Sequence, residues 1–218
     1  MSGDVAVIMP AHNSARFIAE ALDSILERAD RLAEVVVADD GSVDGTATLV
    51  AAYGDPVRLV SMPQRSGSAA ARNAAVAAST APYLAIMDSD DIWMAGRPDP
   101  RLAVLDARPE VGVVSGAAAP FTERGPFGPV QPGPMANASI ARRTAWDATG
   151  GMDPRTTPAE DVDWLIRVRE AGFQVVTVDE VTLRYRIRPD SQARDRAASN
   201  HGLLAAIHGS LQRRRGET

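Results

Sequence analysis

The 218-residue sequence contains no cysteine and no lysine, and all 23 basic residues are arginine. Without cysteine the chain cannot form disulfides, thiolate nucleophiles, iron–sulfur clusters or Cys-based zinc sites. Without lysine it lacks the phosphate-binding lysine of P-loop proteins, the lysine of protein kinases and a Schiff-base lysine. The chemistry that is left to the chain depends on carboxylates, arginines and backbone amides.

Histidines and long hydrophobic runs are also scarce. The three histidines stand at positions 12, 201 and 208, and the last two are not at the spacing of a zinc-binding HExxH helix. No G-x-S-x-G nucleophile elbow is present. No stretch approaches the roughly 20 apolar residues of a membrane span, so we expect none. These absences disfavour most hydrolase, kinase and oxidoreductase chemistry.

The charge and the first residues of the chain restrict its partners and its location. The net charge is -5, so the basic footprint of a nucleic-acid-binding protein is missing and we expect no nucleic-acid partner. The first residues, MSGDVAVIMPAHN, have no basic region before the apolar run and enter a strand pattern directly. We therefore expect no signal peptide and a cytoplasmic location.

Short apolar runs alternate with helical patterns in the first half of the chain. The predicted strands are 5–9, 34–38, 57–61, 83–87 and 111–115, and the predicted helices are 15–28, 46–53, 68–79 and 101–108. This alternation predicts an α/β fold with a mostly parallel, Rossmann-like sheet that helices cover on both faces. In such a sheet, ligands bind beyond the carboxyl ends of the strands.

The second half of the chain is less regular. Residues 117–135 are rich in proline and glycine, which predicts a long irregular loop, either a lid or a disordered insertion. Further strands are predicted at 137–141, 174–178 and 182–187, and helical segments at 143–149, 159–171 and 193–214. We predict one domain, with a nucleotide-binding half at 1–116, a smaller mixed acceptor half at 117–192, and a C-terminal helix and tail at 193–218.

Two motifs lie where the second strand ends and the third helix begins. In DDGSVDGT (39–46), one of the paired aspartates can accept the imide N–H of a pyrimidine base. A capped strand–turn–helix connection explains the glycines equally well, but not the pair of aspartates. In RSGSAAARNAAV (65–76), Arg72 and Asn73 follow a Gly-Ser pair and could face a nucleotide, although the alanines also suit a helix that only packs on the sheet.

Two acidic motifs complete the pattern. DSDD (88–91) follows the fourth predicted strand, where crowded carboxylates suit a hard divalent cation. Many acidic turns match D-x-D, but this position at a strand end favours the cation. PAEDVDW (158–164) puts three acids at the start of a predicted helix. They either interact with the helix dipole or include a general base.

In this order the four motifs resemble the inverting family 2 glycosyltransferases of the GT-A fold, over about residues 4–190. The sequences Gly150-Gly151-Met152-Asp153 and Arg184-Tyr185-Arg186 extend the resemblance. It implies transfer of a sugar from a nucleoside-diphosphate sugar, a UDP-sugar above all, to an acceptor hydroxyl with inversion. The acceptor is left open among glycans, lipid-linked molecules and small molecules.

The resemblance also implies a role for each motif residue. Asp161 would be the catalytic base, and Asp90 would bind the metal cofactor, Mn²⁺ or Mg²⁺. Asp40 would contact the base with Asp39 in support, and Asp88 would lie near the ribose. The complete set of implied nucleotide-sugar contacts is Pro10, Ala11, His12, Asn13, Asp39, Asp40, Arg72, Asp88, Ser89 and Arg188.

Two residues depart from the family pattern. His12 stands where the family often has an aromatic residue, commonly tyrosine, and it can still stack on a base. Arg188 stands where the family often has histidine, as in YRxH. Arginine does not ligate a cation, but it can pair with a diphosphate directly and partly replace the charge of the metal.

Other functions remain open at this point. A nucleotidyltransferase would need a Gly-rich N-terminal loop and a lysine, and the chain has neither. A catalytically degenerate nucleotide-sugar-binding or scaffold protein is compatible with the two departures, as is an enzyme that needs a partner chain. A homo-oligomer is compatible with the sequence as well.

Overall fold

The computed structural model describes residues 3–188, 204, 206 and 208–213. The helices are α1 (Ile18–Arg28), α2 (Thr46–Ala51), α3 (Ser68–Ala77), α4 (Pro100–Ala107), α5 (Arg143–Thr149) and α6 (Glu160–Glu170). The strands are β1 (Val5–Ala11), β2 (Leu32–Asp39), β3 (Val57–Ser61), β4 (Tyr83–Ile86), β5 (Ile92–Trp93), β6 (Val111–Thr122), β7 (Gly125–Pro126), β8 (Ser139–Arg142) and β9 (Gln174–Arg186). Short 3₁₀ turns occupy Ala136–Ala138 and Pro154–Thr156.

Within the described residues, nine strands form one sheet in the order β3-β2-β1-β4-β8-β6-β9-β5, with β7 paired to β6. The first four strands in this order are parallel to each other. β8 is antiparallel to both of its neighbours, whereas β9 is parallel to β6 and antiparallel to β5. The predicted α/β fold is confirmed, with a parallel first half and a mixed second half.

The central strands are buried on both faces, which is why they read as continuous apolar runs. Along β1, Val5, Val7 and Met9 belong to one hydrophobic core, which includes α1. Ala6 and Ile8 belong to the other core, which includes the alanines of α3. Each fully buried valine, isoleucine or methionine side chain contributes about 1.5–3 kcal/mol to folding. The small side chains of α3 allow it to lie close against the sheet.

Several predicted boundaries change. β1 continues through Pro10 to Ala11, because its ladder with β2 extends to that point. Its pairing with β4 ends earlier, at Ile8. The prediction of an irregular loop at 117–135 is wrong over its first part, since 117–122 continue β6 beside β9. Ala118 also exchanges two backbone hydrogen bonds with Gln131, at 2.9 and 2.8 Å. Partners from distant parts of the chain therefore order this segment despite its prolines.

The C-terminal half differs in three further ways. The two strands predicted at 174–178 and 182–187 form one continuous strand, β9, because β6 pairs along both parts. Asn137 lies in a 3₁₀ turn before β8 rather than in the strand. Most of the helix predicted at 193–214 lies outside the described residues, and its described positions, 204, 206 and 208–213, are helical. No helix in the described part of the chain is long and apolar enough to cross a membrane.

Candidate active site

The loops that follow β1 and β2 are bonded to each other at the carboxyl edge of the sheet. Asn13 adopts a left-handed conformation (φ 50°), which asparagine tolerates better than most residues. Its backbone N–H donates to Ser42 Oγ at 2.9 Å, and its side-chain oxygen accepts from the Val43 N–H at 3.0 Å. His12 Nδ1 donates to the Asp40 carbonyl at 2.8 Å. The predicted base-binding residues from the two loops therefore form one connected unit.

Two hydroxyls join the β1 loop to the loop that follows β4. Ser14 Oγ lies 2.7 Å from Ser89 Oγ, and both serines are buried. The Ser14 N–H also donates to Thr46 Oγ1 at 2.8 Å. Ser89 thus holds the acidic loop against β1. Its contact with a nucleotide sugar remains a prediction.

The aspartates Asp39 and Asp40 have different surroundings. Both oxygens of the Asp40 carboxylate accept backbone hydrogen bonds, from Ser66 at 2.6 Å and Gly67 at 2.8 Å, and so attach the end of β2 to the start of α3. Asp39 is also buried, but among the described residues its Oδ1 has no hydrogen-bond partner. A buried carboxylate oxygen without a hydrogen-bond donor costs free energy. Of the two aspartates, Asp39 is thus the one with an oxygen, Oδ1, that is available to a further donor.

Arginines neutralise two of the crowded acids in DSDD. Asp88 forms a salt bridge with Arg72 at 2.5 Å, and Asp90 forms one with Arg188 at 3.0 Å. Burial raises the pKa of Asp90, and the charge of Asp88 adds to this, whereas Arg188 opposes it. Protein cations therefore offset much of the repulsion that makes this sequence unusual.

Asp91 is held differently, since it is 1% exposed and forms no salt bridge within the described residues. Its carboxylate accepts from the Arg186 backbone N–H at 2.9 Å and from the Asn137 amide at 3.0 Å. Burial and the charges of Asp88 and Asp90 raise its pKa well above the usual range. Asp91 is thus a structural link between DSDD, β9 and the turn before β8. The sequence offered no signal for Asn137.

Arg186 supports the same cluster from β9. Its guanidinium donates to the Asp90 carbonyl at 2.7 Å and to Glu20 at 2.5 Å. It also lies 4.8 Å from the ring centre of Phe17 and 4.5 Å from that of Phe121. Such contacts between guanidinium groups and aromatic faces are attractive. The sequence singled out Arg186 only as part of a matching motif.

Arg72 and Asn73 connect α3 to the loop 150–153. Arg72 is buried and lies 2.5 Å from Asp88, 3.7 Å from Glu160 and 3.8 Å from the sulfur of Met152. Asn73 donates to the Met152 carbonyl at 2.7 Å and accepts from its N–H at 3.0 Å. Both side chains thus bridge the acidic loop and the second half of the chain, and a direct contact of Arg72 with the nucleotide remains a prediction.

Asp161 lies in the first turn of α6, next to this bridge. Its neighbour Glu160 accepts from the Ser68 hydroxyl and faces Arg72. Asp161 forms no salt bridge within the described residues. Burial raises its pKa, although the hydrogen bond from the Val162 N–H at 2.8 Å and the charge of Arg72 oppose the rise. A half-buried carboxylate with a raised pKa is suited to take up a proton.

The predicted metal site at Asp90 has a cationic side chain beside it. The described residues contain no group of three or more Asp, Glu or His side chains that could hold a metal ion. Asp90, the predicted ligand, faces the guanidinium of Arg188, and Asp88 faces that of Arg72. One or two carboxylates together with substrate phosphates commonly hold Mg²⁺, but here each of the two carboxylates is paired with an arginine.

A polar cavity of about 790 Å³ is bordered by the loop 150–153. Its lining includes Asp153, Arg155, Asp163 and Arg167, which form two salt bridges, Asp153–Arg155 at 2.8 Å and Asp163–Arg167 at 2.7 Å. Neither the implied nucleotide-sugar contacts nor the predicted metal ligand and catalytic base line this cavity, so it is separate from the candidate active site at the strand ends.

The sequence of this chain matches a family of known enzymes. The model of "Glycosyl transferase family 2" matches residues 6–157. The matched range contains the three strand-end loops and the loop 150–153, while Asp161 and Arg188 lie beyond it. The family model therefore covers most of the residues that build the candidate site.

Individual relatives agree with the family match. The putative glycosyltransferase EpsE of Bacillus subtilis (strain 168) is 29% identical over 222 residues, which cover 93% of this chain and 79% of EpsE. The UDP-Glc:alpha-D-GlcNAc-diphosphoundecaprenol beta-1,3-glucosyltransferase WfgD of Escherichia coli is 31% identical over 102 residues, 46% of this chain and 40% of WfgD. The chain thus matches less than half of the length of WfgD.

A solved structure supports the fold. The mannosyltransferase PcManGT from Pyrobaculum calidifontis, in complex with GDP-Man and Mn²⁺, is similar with a TM-score of 0.76 and 25% identity, over 97% of this chain and 65% of that one. The sheet order, the site at the strand ends and the match over residues 6–157 agree with one another. The chain therefore belongs to glycosyl transferase family 2, whose members are transferase enzymes, and has the GT-A fold.

Proposed function

We propose that this protein transfers a sugar from a nucleoside-diphosphate sugar, a UDP-sugar, to an acceptor hydroxyl with inversion, in the biosynthesis of a polysaccharide. The observation that carries the proposal is the Arg72 bridge. Through it, the strand-end loop of Asp88 lies beside Asp161, a carboxylate with a raised pKa. The name of WfgD, a UDP-Glc-dependent glucosyltransferase, supports the donor class and the pathway.

The loops after β1 and β2 are the proposed binding site for the nucleotide. His12 and Asn13 are partly exposed and held by hydrogen bonds, so they can contact a base with little loss of conformational entropy. The unsatisfied oxygen of Asp39 makes this residue a candidate for the base N–H beside Asp40, whose oxygens already accept two backbone hydrogen bonds. Asp88 is the proposed ribose contact.

The proposed reaction is a single displacement. Asp161 accepts the proton of the acceptor hydroxyl, whose oxygen forms a bond to the anomeric carbon. The bond between that carbon and the diphosphate oxygen breaks, and the nucleoside diphosphate leaves with the electron pair. Attack opposite to the leaving group inverts the anomeric centre. Arg188, at the other end of the cluster, is the proposed positive charge near the departing diphosphate.

The predicted Mn²⁺ or Mg²⁺ cofactor takes no part in this scheme. A cation at Asp90 would have to displace Arg188 or bind directly beside it, and two like charges in contact repel. Mn²⁺ in the complex of PcManGT belongs to that protein. The cytoplasmic location, the acceptor and the formation of homo-oligomers likewise remain predictions.

Transfer can be tested directly by following the release of nucleoside diphosphate from UDP-Glc, UDP-GlcNAc and GDP-Man, with lipid-linked and soluble glycans as acceptors. We expect release that depends on the acceptor, and loss of about 100-fold or more in kcat for Asp161→Asn with nucleotide affinity unchanged. Asp147→Asn, an exposed acid-to-amide change on α5, is the matched control. Binding of a nucleotide without any transfer would favour the degenerate or partner-dependent alternative, and full activity of Asp161→Asn would remove Asp161 from the mechanism.

A further inference from the structure

The three arginines at the DSDD cluster differ in their exposure to solvent. The side chains of Arg72 and Arg186 are 8% and 6% exposed, and each contacts more than one oxygen of the surrounding protein. The Arg188 side chain is 31% exposed and pairs with Asp90. Arg188 is therefore the arginine of the three that a ligand can most readily reach from solvent.

The position of Arg188 is that of a cation bound to Asp90. Its Nε lies 3.0 Å from Asp90 Oδ2, and its guanidinium lies 5.4 Å from the ring centre of Phe17. A divalent ion on the same oxygen would lie about 2.0–2.2 Å away from it, directly against the guanidinium. Such an ion would lose much of its attraction to Asp90 through repulsion by Arg188. Asp90 is thus expected to pair with either Arg188 or a divalent ion, but not with both at once.

A guanidinium has the charge and the donor geometry to bind a diphosphate. It remains protonated at every physiological pH, and its parallel N–H groups can bind two oxygens of a phosphate at once. Asp90 pairs with this group at the edge of the cluster. A diphosphate carries more charge than Asp90 and is the chemical class that this donor geometry fits.

We propose that Arg188 takes the place of the divalent cation in this enzyme, so that the donor diphosphate binds without metal. On binding, the guanidinium exchanges Asp90 for the diphosphate oxygens. The inference rests on the proposed function, because it concerns the same donor site. It goes beyond that function by assigning the charge that stabilises the diphosphate to one residue of the chain.

The decisive experiment is isothermal titration calorimetry of UDP and GDP into the wild-type protein, once in EDTA and once in Mn²⁺. We expect the tighter ligand to bind with a dissociation constant that changes by less than about threefold between the two conditions, well under the tenfold that 1.4 kcal/mol represents. Since this comparison uses the wild type alone, a folding defect cannot influence it. Binding that requires Mn²⁺ overturns the inference and leaves the proposed function standing, whereas no diphosphate binding in either condition overturns both.

Variants then test the assignment to Arg188. In Arg188→His, loss of a charge-assisted hydrogen bond should weaken binding in EDTA by about tenfold or more, and Mn²⁺ should restore part of it. The matched control is Arg184→His, on β9 four residues before Arg188, where the guanidinium lies over Phe121 at 4.2 Å. Equal losses in both variants, or none in Arg188→His, would overturn the assignment.

Discussion

Replacement of the buried arginine at the centre of the site should be among the most damaging single changes in the chain. In Arg72→Met, Asp88 and Glu160 keep their charges and lose their shared cation. Removing one partner of a buried ion pair typically costs 3–5 kcal/mol, because the remaining charge is left without compensation. The Asp88 side chain is 31% exposed and keeps some water, so we expect the lower end of this range, about 3 kcal/mol.

The loss can be measured by urea denaturation followed by circular dichroism. A loss of this size is a large fraction of the 5–15 kcal/mol that holds a typical domain folded. The control is Arg155→Met, which removes a salt bridge of similar length, 2.8 Å to Asp153, from a side chain that is 89% exposed. An exposed pair of this kind should cost less than about 1 kcal/mol.

A double mutant separates lost charge compensation from lost packing. Glu160→Gln removes one of the two charges that Arg72 compensates, so Arg72→Met combined with Glu160→Gln should be more stable than the sum of the two single losses predicts. If Arg72→Met costs no more than Arg155→Met, or if the double mutant is simply additive, the guanidinium does not hold the site together and the reasoning is refuted.

Two further predictions concern the base and the loop 150–153. Burial raises the pKa of Asp161, and a base acts only when it is deprotonated. The value of kcat/KM should therefore fall as the pH drops through a pKa above the ordinary value of about 3.9. A pH profile whose acid limb lies at or below that value would contradict this prediction. Gly151 has φ 82°, and a Cβ there would lie 2.6 Å from Asn73 Oδ1. Gly151→Ala should therefore unfold at a lower urea concentration than the control Gly45→Ala. Gly45 has φ 91° but open space around it, so both variants lose the roughly 1–3 kcal/mol that a positive φ costs, and only Gly151→Ala adds a steric contact. Equal stability of the two variants would show that the contact with Asn73 relaxes freely.

The sequence by itself predicted the elements of the first half and their meeting point. Strands that are buried on both faces must be apolar throughout, so β1 to β4 could be located from their residue types. Parallel strands end on the same edge of a sheet, so the polar motifs after β1, β2 and β4 had to lie together. The family followed from the order of these motifs, and the match over residues 6–157 confirms it.

The tertiary structure alone decided which partner each charge has. Asp91 is held by Asn137 and by the Arg186 N–H, which lie 46 and 95 residues away in the chain, and no local pattern reports such a contact. The same holds for the extension of β6 through Pro120, which depends on its ladder with β9. Local propensity and periodicity act over a few residues, whereas ion pairs and strand pairing depend on how the whole chain closes. The sequence singled out Arg188 as a departure from the family pattern, but only the fold shows that its Nε lies 3.0 Å from Asp90 Oδ2.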